Sequence, residues 1–349
     1  MKRQFPALRG FAILLVIGNH AIHMANIARQ EAGLAAVDPF SQQILIILSA
    51  LGFMAVPIFL FLSGSFFAYA AQGRTSRLLL AIVRKNLITI IWPYLIWSVV
   101  FYFLLYFGHG QLFSPIEYVK HILVGYPFNF IPLIIFYIAI SPLLLWLSNR
   151  IGWLTVLALI AAYQVLLIFV VFPASHSISL PGWTAWLAPP VLVVPLADWG
   201  IYFPLGMLFA LNMNKMSPWL ERFRWILVGI AIVFYSATVL HGIGLWEAPL
   251  LRHVFPFAVV LLLPLIPRQA IPQVKLFENI GKNAYGLYLT HLIVMDIFLL
   301  ITTGVWPQAL QFTLILVPIL FIVGLYMPQL VMLLLIKSPV RRSYQYLFG

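Results

Sequence analysis

The chain has 349 residues, 63% of them hydrophobic and 8% charged, with a formal net charge of +12 and a mean hydropathy of +1.04. So few charges over this length exclude an ordinary soluble protein, and the long apolar runs exclude the alternating pattern of a transmembrane β-barrel. The absence of cysteine excludes disulfides, thiol catalysis and thiolate metal sites.

Hydrophobic runs predict an all-α, polytopic transmembrane helix bundle that forms a single integral-membrane domain over 1–349. Ten spans are expected, at approximately 7–28, 43–71, 87–107, 128–147, 152–172, 191–212, 223–243, 249–266, 284–303 and 309–336. Pro57 and Pro318 are the expected kink points of the second and last spans. With ten spans, all of the 20 Lys and Arg except Arg29, Lys120 and Arg252 fall on the side that carries both termini. The positive-inside rule then places both termini in the cytoplasm. The basic residues sit at the ends of apolar segments, so they point to membrane orientation and anionic headgroups rather than to nucleic acid. The first span carries Arg9 and no polar secreted domain follows it, so it is expected to stay as a transmembrane segment rather than be cleaved as a signal peptide. The longer outer segments, 108–127 and 173–190, hold Gly, Pro, His and Trp, including Trp183 and Trp186. They suit either a substrate mouth or an interfacial aromatic belt.

The first span, Leu8-Arg9-Gly10 through His20, puts Arg9 and His20 on one helical stripe, roughly 16 Å apart along the axis. With Arg9 at one membrane face, His20 lies near mid-depth, where an ionisable group is a functional candidate by default. A neutral imidazole there can act as a general base, and Arg9 suits a phosphate or carboxylate. The structural alternative has Arg9 as an orientation anchor and His20 as an interhelical hydrogen-bonder. For His23, nearer the outer surface, the structural reading is favoured.

The second span contains Val56-Pro57-Ile58-Phe59-Leu60-Phe61-Leu62-Ser63-Gly64-Ser65. Proline and Ser-Gly-Ser within a span free backbone groups and admit a close neighbour. Ser63 can donate to a ligand or to its own helix backbone. Arg74, Arg77, Arg84 and Lys85 lead into Trp92-Pro93-Tyr94-Leu95-Ile96-Trp97. Four cations there can bind a polyphosphate such as that of coenzyme A, or simply orient the chain. The ninth span, Gly281-Lys282-Asn283-Ala284-Tyr285-Gly286-Leu287-Tyr288-Leu289-Thr290-His291, brings a second histidine about 13 Å in from Lys282, at a depth comparable to His20. Asp296 lies off the His291 face, so it is not expected to be its partner. On the outer side, Glu117 with Lys120 and His121 has helix-face spacing, and Asp198 beside Trp199 can hold a hydroxylated substrate, although singly such groups read as structural pairs. No metal-ligand spacing is present, and no metal is expected.

In this order the motifs resemble the acyltransferase-3 family of membrane O-acyltransferases, which includes surface-polysaccharide O-acetyltransferases. They are Leu-Arg-Gly with His20, Val-Pro-Ile-Phe-Leu-Phe-Leu-Ser-Gly, the basic lead-in to Trp-Pro-Tyr-Leu-Ile-Trp, Pro204-Leu205-Gly206-Met207-Leu208-Phe209, and Gly281 through His291. The resemblance runs across nearly the whole chain. It implies transfer of an acyl group, usually acetyl, from cytoplasmic acyl-CoA to a hydroxyl of a glycan or lipid-linked sugar, with acyl-CoA as donor substrate and no bound cofactor. It also implies a cytoplasmic membrane of bacterial type. Carried over, Arg9, His20, Ser63, Gly64 and His291 match family positions. His20 and His291 are then the expected catalytic pair, and Arg9, Ser63, Gly64, Arg84, Lys85 and Tyr288 the expected substrate-binding residues. Many members carry an Arg-x-x-Arg pair before the proline of the third span. Aligned on Pro93, this chain has Arg84, Lys85, Asn86 and Thr89 instead. The alternative from another class is a transporter of a polysaccharide or lipid-linked intermediate, which mid-depth polar residues and broken helices also suit.

Overall fold

The computed structural model describes residues 3–173, 180–246 and 253–349. Lys2 and Arg252, part of the 173–190 segment and the start of the eighth expected span lie outside the described residues. The helices are α1 (Phe5–Glu31), α2 (Pro39–Gly52), α3 (Ala55–Ala71), α4 (Ser76–His109), α5 (Pro115–Val124), α6 (Ile131–Ile151), α7 (Trp153–Val171), α8 (Val193–Trp199), α9 (Tyr202–Leu211), α10 (Met213–Gly242), α11 (Val254–Leu262), α12 (Val274–Lys282), α13 (Ala284–Val305), α14 (Thr313–Lys337) and α15 (Tyr344–Phe348). Among the described residues there is no strand, and eight helical segments are long and apolar enough to cross a membrane: α1, α2 with α3, α4, α6, α7, α10, α13 and α14. The α8–α9 pair, bent by 50°, makes nine when it is counted as one span, against the ten expected. The eighth expected span is the short one. Its described part runs Val254–Leu265, and Pro264 and Pro267 stop it.

Prolines explain where the spans break. The second span is interrupted at Phe53–Met54 rather than kinked at Pro57, because Pro57 lies in the first turn of α3 and has no N–H to return to Phe53. Pro318 lies inside the continuous α14. Pro204 likewise leaves the Gly200 carbonyl without its helical donor, and the Tyr137 hydroxyl donates to it. Gln164 of α7 closes the rest of this break. Its Nε2 donates to Ala197 O at 3.0 Å and Asp198 O at 3.2 Å, and its Oε1 accepts from the Ile201 N–H at 2.8 Å. A broken helix in hydrocarbon needs such partners for its freed backbone.

Two glycine crossings lock the bundle. A Cβ on Gly10 of α1 would lie 2.0 Å from Phe277 O of α12, and one on Gly281 of α12 would lie 2.1 Å from Pro6 O of α1. A Cβ on Gly64 of α3 would lie 2.0 Å from Phe203 O, and one on Gly206 of α9 would lie 1.9 Å from Phe61 O. The Ser65 hydroxyl reinforces the second crossing by donating to Gly206 O at 3.0 Å. Helix α12, which is not among the expected spans, is held from below by a two-pronged ion pair, Arg268 Nε to Glu278 Oε1 at 2.7 Å and Nη2 to Oε2 at 2.9 Å. That pairing holds the Glu278 carboxyl below its ordinary range. The helix α15 returns to α4, where Trp97 Nε1 donates to Leu347 O at 2.7 Å.

Gly281→Ala is expected to lower the stability of the detergent-solubilised protein by about 1–3 kcal/mol through overpacking. Gly229→Ala on α10, with open space around the new Cβ, should match or slightly exceed the parent. Thermal unfolding of both variants checks this, and equal melting of the two would show that the α1–α12 crossing tolerates a methyl group.

Candidate active site

The Gly10–Gly281 crossing places Arg9, one residue before Gly10, beside Lys282, one residue after Gly281. Both line a cavity of about 330 Å³ with Ser63, Asn86, Thr89 and Tyr285. Arg9 is half-buried, and its Nε has no protein partner. Ser63 faces this cavity while Ser65 is engaged by α9. Gly64 does not line it: Gly64 is buried in the α3–α9 crossing, so its part is to position Ser63. Arg84 and Lys85 do not line it either. They are exposed and border an adjoining groove with Gln345 and Tyr346, which shares Thr89 with the Arg9 cavity. The α4 residues that do face the Arg9 cavity are Asn86 and Thr89, one helical turn apart, and Ile90, so neutral groups occupy that wall. The chain's last residues, Phe348 and Gly349, also line this cavity, so α15 lies at the same end of the bundle as Arg9.

A second cavity, of about 520 Å³, contains His20, His23, His109, Gln111, Asn129 and Asp296. Asp296 is not aimed at His291. It accepts from, or ion-pairs with, His109 Nε2 at 2.9 Å, which joins the end of α4 to α13. Tyr126, in the loop before α6, borders the same space. Burial first, and the Asp296 carboxylate second, push its phenol up, so its hydroxyl stays neutral.

Between the two cavities lies a stack of rings. Phe130 packs on Tyr288 with centroids 4.2 Å apart, Tyr288 lies 5.8 Å from His291, and His291 lies 5.2 Å from His20. Tyr288 and Phe130 line the Arg9 cavity and His20 lines the other. The sequence therefore brings Arg9, Ser63 and Tyr288 to one cavity, His20 to the next, and His291 to the wall between them. His291 is fully buried, with Nδ1 2.9 Å from Leu287 O. A carbonyl only accepts, so Nδ1 carries the proton of the neutral ring and Nε2 presents a bare lone pair. That Nε2 is buried without a protein partner. Such a ring serves a hydroxyl or another N–H. It is not built to donate to an acyl carbonyl.

His109, Asn129, Glu31 and the α4 pair Asn86 and Thr89 carried no motif, although the one-turn spacing of the last two was a usable signal. The remaining outer candidates stay apart. Asp198 lies with Tyr202 and His253 in a pocket of about 130 Å³, 3.8 Å from His253 Nδ1. Glu117 closes a capping box with Ser114 at the start of α5, accepting from Ser114 N at 2.7 Å.

A many-span α-helical bundle with polar cavities that approach each other at His20 and the buried His291 is the architecture of a multi-pass membrane protein. The family model of the acyltransferase domain Acyl_transf_3 matches residues 4–330, and the chain belongs to that family: it is a membrane acyltransferase. Comparison with curated proteins and with solved structures returns no match.

Because the chain lacks cysteine, single replacements report cleanly on each cavity. In sealed vesicles, Ser63→Cys and Asn129→Cys are expected to react with an impermeant maleimide from opposite faces. Labelling of both from the same face would show that the cavities share one opening.

Proposed function

We propose that the protein moves an acyl group, acetyl in the simplest case, from cytoplasmic acyl-CoA to a hydroxyl of a surface glycan or glycan precursor. The observation that carries this reading is the meeting of a cationic cavity and a histidine-bearing cavity across one layer of rings. Both termini are cytoplasmic in this reading, so the Arg9 cavity faces the donor. Donor phosphates pair with Arg9 and Lys282, and Arg84 and Lys85 on the adjoining groove extend the cationic surface. The thioester lies along Ser63 toward Tyr288.

The acceptor enters the His20 cavity. His20 takes the hydroxyl proton as the oxygen attacks the thioester carbonyl carbon. A C–O bond forms, the C–S bond breaks, and the proton passes on to the departing thiolate to give the free thiol. His291 Nε2 accepts from the His20 ring or the incoming hydroxyl and so fixes the line of proton transfer. No covalent enzyme intermediate is required. Both substrates need only be held within hydrogen-bonding reach of His20, which requires the Tyr288–Phe130 pair to admit the thioester end of the donor.

His20→Ala is expected to lower transfer of labelled acetyl from acetyl-CoA to a glycan acceptor by about 10²–10⁴-fold at unchanged thermal stability. Arg9→Gln is expected chiefly to raise the donor KM. Normal glycan acylation by a well-folded His20→Ala protein would reject the mechanism.

A further inference from the structure

The two cavities differ in charge. Arg9 and Lys282 line the first, and no carboxylate side chain does so among the described residues. Glu31 and Asp296 line the second, and among the described residues neither Lys nor Arg does. Arg29, close to that second mouth in sequence, is buried and turned onto the carbonyls of Leu34 and Ala35. Helix direction adds to the difference. Helices α1, α4 and α13 run from the Arg9 end to the His20 end. Glu31, His109 and Thr303 therefore mark three C-terminal ends at the second cavity, against the single N-terminal end of α6 beside Asn129. Helix C-termini carry partial negative charge. Three histidines, His20, His23 and His109, share this wall, and Asn129, Gln111, Tyr126 and Phe101 add amide, phenol and ring surfaces of the kind that hold a neutral polar ligand. The volume of about 520 Å³ is that of a small-molecule site.

We propose that the His20 cavity selects an acceptor sugar without an acid group, and that Glu31 and Asp296 exclude uronates and other anionic sugars. This rests on the transfer reading above and narrows its acceptor class. Glu31, exposed at the mouth, and Asp296, which His109 Nε2 meets at 2.9 Å, repel a third carboxylate, and such like-charge contacts discriminate among partners. The same field lets an amino sugar enter.

The test reads binding and transfer separately on the purified full-length protein. Binding is taken from ligand-induced thermal stabilisation by three oligosaccharides: a neutral glucan, a glucosamine oligomer and an oligogalacturonate. Transfer is taken from labelled acetyl-CoA with the same three. The neutral and amino oligomers are expected to bind at least about tenfold more tightly than the acidic one. Glu31→Gln is expected to raise the acidic-to-neutral affinity ratio. Because Glu31 is exposed at the end of α1, the unliganded melting temperature of this variant verifies its fold. Oligogalacturonate binding as tight as glucan binding, or no binding by any of the three, overturns the inference. Binding in the expected order without any label transferred supports the inference and overturns the transfer reading instead. Equal labelling of acidic and neutral acceptors overturns the inference and leaves transfer standing.

Discussion

Close backbone approach at two glycine pairs is the constraint on which the rest of the structure depends. Between helices in a bilayer there is no hydrophobic driving force to recruit, so association rests on van der Waals packing and on small residues that let backbones touch. Gly10 with Gly281 and Gly64 with Gly206 provide that contact. Each pair has a chemical neighbour in sequence. Arg9 precedes Gly10, Lys282 follows Gly281, and Ser63 precedes Gly64, and all three side chains line the same cavity. The glycines thus set the distance between helices, and the adjacent polar residues inherit a fixed place.

The second constraint is the satisfaction of backbone groups in the broken spans. An orphan carbonyl or N–H at membrane depth costs several kcal/mol. The α8–α9 break is tolerated because Gln164 and Tyr137, from two other helices, bond the freed groups. That break brings Phe203 to the wall of the Arg9 cavity and aligns Gly206 with Phe61. Disruption of the spans therefore serves the glycine crossing, and the side-chain bonds of Gln164 belong to the positioning of the site at one remove.

The helical class and most spans were legible in the sequence, because hydropathy is a local property. The count of ten was not, since among the described residues eight segments are long enough to cross and the bent α8–α9 pair makes at most nine. Arg9, His20 and His291 could be ranked by depth along their helices, and the structure brings Arg9, Ser63 and Tyr288 to one cavity, His20 to the next and His291 to the wall between them. What escaped was whatever depends on rotation between helices. Arg84 and Lys85 have the right charge and depth, yet the α4 face that meets the cavity carries Asn86 and Thr89. Gly64 belongs to the motif as a packing residue rather than as a ligand contact. The His109–Asp296 pair joins residues far apart in the chain, and no local pattern announces it. Helix α12 was hidden because its nine residues are too short and too polar to register as a span.

The placement of His291 also limits what the histidine pair can do. Its Nδ1 is committed to Leu287 O within its own helix, so the ring cannot turn that nitrogen to a substrate without losing a backbone contact in a low-dielectric setting. The remaining nitrogen is an acceptor, and the His20 ring lies 5.2 Å away, centroid to centroid, between it and the larger cavity. A helical carbonyl thus plays the orienting part that a carboxylate plays in other proton-relay arrangements, without adding a charge to the membrane interior. The consequence is directional. His20 lines the larger cavity, and His291 on α13 sits behind it with one acceptor nitrogen. In the proposed transfer, proton movement follows the axis of the two cavities, from the His20 side toward the Arg9 side.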